Sequence, residues 1–408
     1  MLQKIGKFVK DEIVLCVAGL LAIVSMFVVP PSEQYIEYID FRVLALLFCL
    51  MLVVAGLSNA GVFEWLMNVL MRIVHNTRQL TIVLVMACFF LSMWITNDVA
   101  LITLVPFAIM VLRAVYKDAA TKKLLSVTAY VVVLQTVAAN LGSMCTPIGN
   151  PQNLYLYTSS GMSIIEFLGI MWPYTLVSLV LVIIACLFVK SESITGVADA
   201  ANDGDMDGRI NMDNADSNAG KAKPARIKKS SGWRIPVYAV LFIVSILTVL
   251  GIVHYLVMLA IVVVTVAIVE PKLFKNADYM LLITFVAFFV FVGNLKNIEF
   301  FNNLFGVWVQ GNSILVSVLA SQVISNVPAA VLLSGFTADS AGLMIGTNIG
   351  GLGTIIASMA SLISYKFFAK IEGSNKGAYM GMFTLINVLF LAVLMLTVAT
   401  LHGWFTIG

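Results

Sequence analysis

The chain has 408 residues, of which 61% are hydrophobic and 11% charged. A soluble domain carries about a quarter charged residues, so a water-soluble enzyme or binding module is excluded and an all-α polytopic membrane protein is expected. The net charge of +3 is small, and the positions of the cations carry more information than their sum.

About 20 apolar residues cross a bilayer as helix. Behind the basic start Met1–Lys10, the run 12–30 ends in Pro30-Pro31 without a small-residue cleavage site, which predicts a retained first helix rather than a signal peptide. The run 40–59 follows, and then an amphipathic stretch from Val62 to His75 that places Glu64, Asn68 and Arg72 on one polar face at the interface. The next stretch, about 78–116, is interrupted by Met93-Trp94-Ile95-Thr96-Asn97-Asp98 and is expected to enter and leave the membrane on one side, as a re-entrant hairpin with the polar residues at its tip. Span 122–158 is broken near 144–151, where Pro147 and Pro151 prevent a continuous helix. Span 163–190 completes the first half.

Ser191 to Gly232 is the only sizeable polar segment, too poor in apolar residues to fold, and is expected to be a disordered linker. Asp203, Asp205, Asp207, Gly208 and Ile210 match part of a calcium loop, but Asn214 stands where the bidentate Glu belongs, so weak calcium binding is a secondary reading. The cluster from Lys221 to Lys229 suits contact with anionic lipid. Beyond it come spans 235–252, 254–270 and 278–296, an amphipathic stretch from Ile298 to Trp308, and a second apolar stretch, 313–337. This one is interrupted by Val323-Ile324-Ser325-Asn326-Val327-Pro328 and is too short to cross twice, so it too reads as a re-entrant hairpin. Span 341–370 is broken near 346–354, and 377–402 ends the series.

With the N-terminus in the cytoplasm, 22 of the 24 Lys and Arg residues fall on the cytoplasmic side; Arg42 and Lys296 are the exceptions. Treating either hairpin as a crossing destroys that split. The same topology makes the halves inverted: a first repeat over 1–190, a cytoplasmic linker over 191–234, a second repeat over 235–408, and a C-terminus outside. Echoes support the pairing, namely Asp40-Phe41 with Asp278-Tyr279, and Gly56 and Phe63 with Gly293 and Phe300.

Amide, hydroxyl and free backbone inside hydrocarbon cost several kcal/mol, roughly, for each unsatisfied group. Broken segments in matching positions of two halves are the sequence mark of a transporter's binding site. A hairpin tip frees carbonyls at one helix end and N–H groups at the next. Half-helix N-termini favour anions, whereas unwound carbonyls with Ser, Thr and Asn oxygens suit sodium. The expected substrate contacts are therefore Thr96, Asn97, Thr146, Pro147, Asn150, Ser325, Asn326 and Thr354. The expected cation contacts are Thr96, Asn97, Asp98, Gly142, Thr146, Ser325, Asn326, Asn348 and Gly350, with Asp98 a hard ligand or a proton carrier. Gly346, Gly350, Gly351 and Gly353 let backbone approach a ligand, although Gly346-x-x-x-Gly350 alone also reads as helix packing.

The five cysteines sit in apolar runs without metal spacing, only Cys145 falling in a polar break. His75, His254 and His402 lie near helix ends without metal spacing. Lys296 can snorkel, and Trp172, Trp233 and Trp404 fit interfacial belts. No HExxH, GxSxG or paired catalytic aspartates occur within the spans, so neither enzyme activity nor a cofactor is expected beyond a coupling Na+ or H+, nor is a nucleic-acid partner.

These motifs resemble the ion transporter superfamily, which includes the citrate and dicarboxylate sodium symporters, the arsenite permeases and the D-type sodium/proton antiporters. Met93-Trp94-Ile95-Thr96-Asn97-Asp98 with Pro106 resembles its first hairpin tip, and Thr146-Pro147-Ile148-Gly149-Asn150-Pro151-Gln152-Asn153 the unwound helix after it. Ser325-Asn326-Val327-Pro328 and Gly346–Ser358 resemble the second set. The resemblance implies a scaffold with a moving transport domain, elevator-like alternating access, a homodimer, residence in the plasma (inner) membrane, and cation sites at each tip. The carboxylate symporters carry Ser-Asn-Thr at each tip, whereas the third positions here are Asp98 and Val327, closer to the arsenite-permease and antiporter branch. The expected function is cation-coupled transport of a small anion, citrate-like or an inorganic oxyanion. A sodium/proton antiporter using Asp98 is the alternative, and an ion channel a remote one.

Overall fold

The computed structural model describes residues 12–116, 121–193 and 232–402, so most of the linker, its partial calcium loop and Trp404 lie outside the described residues. The first half comprises α1 (Ile13–Met26), the short α2 (Gln34–Tyr38), α3 (Phe41–Asn59), α4 (Val62–Met71), α5 (Thr77–Ile95), α6 (Asn97–Val115), α7 (Thr121–Ser143), α8 (Pro151–Ser160) and α9 (Ile164–Leu187). The second comprises α10 (Arg234–Val249), α11 (Tyr255–Val269), a 3-10 turn (Pro271–Asn276), α12 (Tyr279–Lys296), α13 (Glu299–Val309), α14 (Ser313–Ile324), α15 (Asn326–Leu333), α16 (Ser340–Ile349), α17 (Met359–Ala369) and α18 (Lys376–Leu401). Among the described residues there is no strand beyond one isolated bridge between Asn76 and Ser193. Among the described residues seven helices, α3, α5, α6, α7, α9, α12 and α18, are each long and apolar enough to cross a bilayer. The protein is an all-helical polytopic membrane protein.

Local chemistry sets the helix ends. Asp40 and Asp278 adopt nearly the same backbone conformation and cap α3 and α12, each accepting from the N–H three residues on at 2.9 Å. Asn76, Asn150, Asp339 and Asn375 cap α5, α8, α16 and α18 in the same way, and such a cap stabilises by about 1 kcal/mol. Helices α1, α10 and α11, of 14, 16 and 15 residues, are shorter than the apolar runs that predict them. Their ends unwind at Pro30-Pro31, at Gly251 and before Pro271, where continued helix is disfavoured.

Packing crosses the middle of the chain. Helix α1 lies against α12, while α10 and α11 lie against α3. The glycine echoes acquire a reason here: a Cβ at Gly56 would stand 2.2 Å from the Tyr238 ring, and one at Gly293 would stand 2.3 Å from the Tyr38 ring. Each long helix thus receives a tyrosine that only glycine admits. Helix α13 meets α14 at 113°, which turns an amphipathic helix into an apolar one. The arms of each broken pair, α5 with α6 and α14 with α15, pack on each other. The pairs differ in length: α5 and α6 have 19 residues each, against 12 and 8 for α14 and α15.

Candidate functional site

Each helix pair turns on a single residue. Thr96 has φ 68 and ψ 148, Ser325 has φ 73 and ψ 156, and these are the two positive-φ non-glycine residues among those described. Such a conformation costs about 1–3 kcal/mol and persists only where surrounding bonds impose it. Those bonds are the same in both halves. Asn97 N donates to Gly149 O at 3.1 Å, and Asn326 N donates to Ala357 O at 2.9 Å. Thr146 Oγ1 donates to Met93 O, and Thr354 Oγ1 to Gln322 O at 3.0 Å. Met93 and Gln322 each lie three residues before the turn. The polar breaks of one half are therefore tied into one knot, and the pattern occurs twice.

The knots are also joined to each other. Asn140 Oδ1 accepts from Asn97 Nδ2 at 3.0 Å and from Ser358 Oγ of the other half at 2.9 Å. Reciprocally, Asn348 Oδ1 accepts from Asn150 Nδ2 at 2.9 Å, and Asn348 Nδ2 donates to Asn153 Oδ1 at 2.5 Å. All six side chains are buried. Buried amides of this kind fix one arrangement because an orphaned member carries its full desolvation cost.

Between the knots lies a crevice lined by Asn97 and Asp98, Pro151 and Gln152, Asn326 and Val327, Ser358 and Met359, with Leu281 on its wall. Each pair is the start of a helix: α6, α8, α15 and α17. Four helix N-termini converge on one point, each carrying about half a positive charge; the first N–H groups of α6 and α15 are already bonded, Asn97 N to Gly149 O, Asn326 N to Ala357 O, and Asp98 N and Val327 N to the side-chain oxygens of Asn97 and Asn326. Among the described residues, the N–H groups of Gln152 and Met359 make no hydrogen bond. Two buried acceptors on the same crevice, Asp98 Oδ1 and Gln152 Oε1, also have no partner. The crevice therefore offers donors to an anion and acceptors to a cation or a proton. Its cavity is only about 10 Å³, barely the room of one water.

Of the expected site residues, Asn97, Asp98 and Asn326 line the crevice. Thr96 and Ser325 form the turns, Thr146 and Thr354 tie the loops, and Asn150 and Asn348 belong to the amide lattice. Pro147 lies in the first unwound loop, off the crevice. Gly142 sits against α5, where a Cβ would stand 2.0 Å from Phe89 O; Gly346 and Gly350 sit against Ile314, Ser317 and Ser321 of α14. Gly346 and Gly350 thus allow α16 to pack closely on α14, while Gly351 and Gly353 lie in the unwound loop against Asn326 and Gln322. Cys145 is buried and off the crevice. Sequence reasoning passed over Gln152 and Ser358 as contacts, and Asn140, Asn153 and Gln322 as supports. The first two were findable: each lies within two residues of the start of the half-helix that follows an unwound loop.

A second, larger cavity of about 280 Å³ lies one to two helical turns along the same elements, lined by Glu37, Tyr38, Tyr155, Phe289, Lys296 and Ser334 among others. Tyr155 and Phe289 on its wall form an aromatic layer with Phe285, the rings tilted or edge-on with centroids 5.6–6.4 Å apart. The Tyr155 hydroxyl and Ser334 Oγ are hydrogen-bonded at 2.7 Å across that layer.

Comparison with known proteins follows this architecture. An uncharacterized transporter of Methanocaldococcus jannaschii is 30% identical over 375 residues, covering 91% of this chain and 92% of that protein. The inner membrane protein YbiR of Escherichia coli is 29% identical over 357 residues, 84% of each chain. A silicon efflux transporter of rice, Oryza sativa, is 32% identical over 150 residues, 37% of this chain and 29% of that one. Two of these are named as transporters and none as an enzyme. Residues 5–343 match the family model described as citrate transporter, and with that match the chain takes its place as an integral membrane protein of the citrate transporter family, a secondary transporter of the anion type rather than an enzyme.

Proposed function

We propose that the protein moves a small anion, citrate-like or an inorganic oxyanion, across the plasma (inner) membrane in company with a cation, Na+ or H+. The observation that carries this reading is the convergence of four helix N-termini on the crevice that also holds Asp98. A partly buried helix end gives an anion up to about 2 kcal/mol. Four together give at most about 8 kcal/mol, an upper bound equivalent to about micromolar affinity. No Lys or Arg lines the crevice, so the solute is released without breaking a full ion pair. The unpartnered Asp98 Oδ1 receives the coupling ion, and each ligand then binds weakly without the other.

Depth agrees with this. Helices α14 and α8, of 12 and 10 residues, span about 18 and 15 Å, half of a roughly 30 Å hydrocarbon core. The second tip then reaches the bilayer midplane as a re-entrant hairpin, and the first, whose arms α5 and α6 of 19 residues span about 28 Å, meets it from the opposite face as a tilted re-entrant hairpin, in two inverted repeats, 1–190 and 235–408. The N-terminus and the linker are cytoplasmic and the C-terminus is outside, a reading that the bias of the basic residues supports. The crevice is too tight for citrate as it stands, so the bundle of broken helices slides against α3 and α12 to open it, an elevator-like step carried out by each subunit of a homodimer.

Labelled citrate, a dicarboxylate and phosphate or arsenate test the reading in proteoliposomes under imposed Na+ or pH gradients, with silicic acid, uncharged at neutral pH and included on the strength of the rice relative's name, as the comparison. Uphill accumulation of one of the anions is expected. The free Asp98 oxygen also favours a second reading, sodium/proton antiport. Cation-driven pH change with no anion flux under any gradient would reject the first reading in favour of the second. Steady uphill accumulation excludes the remaining alternative, an ion channel.

A further inference from the structure

The unwound loop after α16 is folded around one side chain. Gln322 Nε2 donates to Gly350 O and Leu352 O, both at 2.9 Å, and to Val318 O at 3.2 Å. Its Oε1 accepts from Thr354 N at 2.9 Å, while its own carbonyl accepts from Thr354 Oγ1. The loop closes over it at Gly353, with φ +105, where a Cβ would stand 2.3 Å from Gln322 Oε1. A cup of backbone carbonyls at a half-helix C-terminus is what coordinates an alkali cation in a broken transport helix. Here an amide NH2, itself an electropositive donor, already fills the cup.

The first half is built differently. Met93 stands where Gln322 stands, and its side chain has no N–H to give. The carbonyls of its loop, Ser143, Met144 and Thr146, share one donor, Asn153 Nδ2, at longer distances of 3.5, 3.3 and 3.2 Å. Asp98, on the helix start that this loop is tied to through Asn97 N and Gly149 O, carries an unpartnered oxygen, whereas the matching position in the second half is Val327, which has none.

We infer that Gln322 occupies, by covalent tether, the place of a coupling cation in the second break, so that this half of the site is ordered without an ion and cation coupling belongs to the Asp98 half alone. The inference rests on the proposed cation-coupled reading for its meaning, but its test needs no transport. Thermal unfolding of the purified protein is measured in sodium chloride and in choline chloride for three variants: Asp98→Asn, Asp98→Asn with Gln322→Glu, and Asp98→Asn with Gln322→Ala.

The single variant is expected to unfold at the same temperature in both salts, because neither half then binds an ion. The Gln322→Glu double variant is expected to gain several degrees in sodium over choline. A carboxylate cannot donate to both carbonyls, so a cation must bridge them, and a ligand that binds only the folded state raises its melting point. Sodium stabilisation of Asp98→Asn that disappears on adding Gln322→Ala would overturn the inference, as would a folded Gln322→Glu double variant indifferent to sodium. If that double variant does not fold, the first comparison still decides. Should no anion be transported at all, the proposed function fails while the salt comparison remains readable.

Discussion

Asn140 gives the sharpest test of the joined-knot architecture, because it lines no cavity and its side chain answers to both halves. Asn140→Leu keeps the volume and removes one acceptor shared by two buried donors, Asn97 Nδ2 and Ser358 Oγ. A buried donor left unpaired costs about 1–3 kcal/mol, so the substitution should destabilise by about 2–6 kcal/mol, against about 1 for an ordinary point change. Ser358→Ala removes only the hydroxyl, which makes no cap bond to its own helix, and should cost about 1 kcal/mol. In the double variant no Ser358 donor remains to be orphaned, so its loss should fall short of the sum by about 1 kcal/mol or more, beyond the 0.3–0.5 expected of independent sites. Equilibrium unfolding in mixed micelles, titrated with sodium dodecyl sulfate, measures all three. Additivity within about 0.5 kcal/mol would refute the claim that Asn140 bridges the halves.

Other substitutions address transport itself. Asn97→Ala and Asn326→Ala should each reduce uptake in proteoliposomes at least about 100-fold, since each removes a crevice contact and its links; wild-type flux in either would leave the tips as mere packing. Asp98→Asn should alter the sodium or pH dependence of uptake more than the apparent anion affinity, and an unchanged coupling profile would remove Asp98 from the cation's path. Tyr155→Ala should open the aromatic layer, so that Val327→Cys in that background reacts with an impermeant thiol reagent added from outside at least about 10 times faster than with Tyr155 present. Equal rates would mean that the larger cavity is not the route to the crevice.

Hydropathy located the helices because in lipid every backbone group is satisfied within its own segment. The breaks were legible for the complementary reason: Thr96-Asn97-Asp98 and Ser325-Asn326 have no business in an apolar run unless the chain turns there. Which polar residues face the crevice was not legible, since that depends on four helix starts meeting from segments up to 262 residues apart, between Asn97 and Met359. Spacing marked Thr146 and Thr354 as site residues but carried no sign that their hydroxyls tie each unwound loop to the neighbouring helix pair. Gln322 left no signal at all. It sits one turn inside an apolar helix, and its loop partners lie 28–32 residues onward.

The crevice carries one formal charge at most, that of Asp98, and its pull on an anion comes from dipoles fixed in the backbone. Moving a full charge through the membrane field is worth about 2.3 kcal/mol per 100 mV, whereas backbone dipoles travel with the helices as a neutral body. Under the proposed carrier mechanism, a proton or a sodium ion on Asp98 would let the vacant carrier cross the field free of electrical work, and a bare carboxylate would couple every return stroke to membrane voltage.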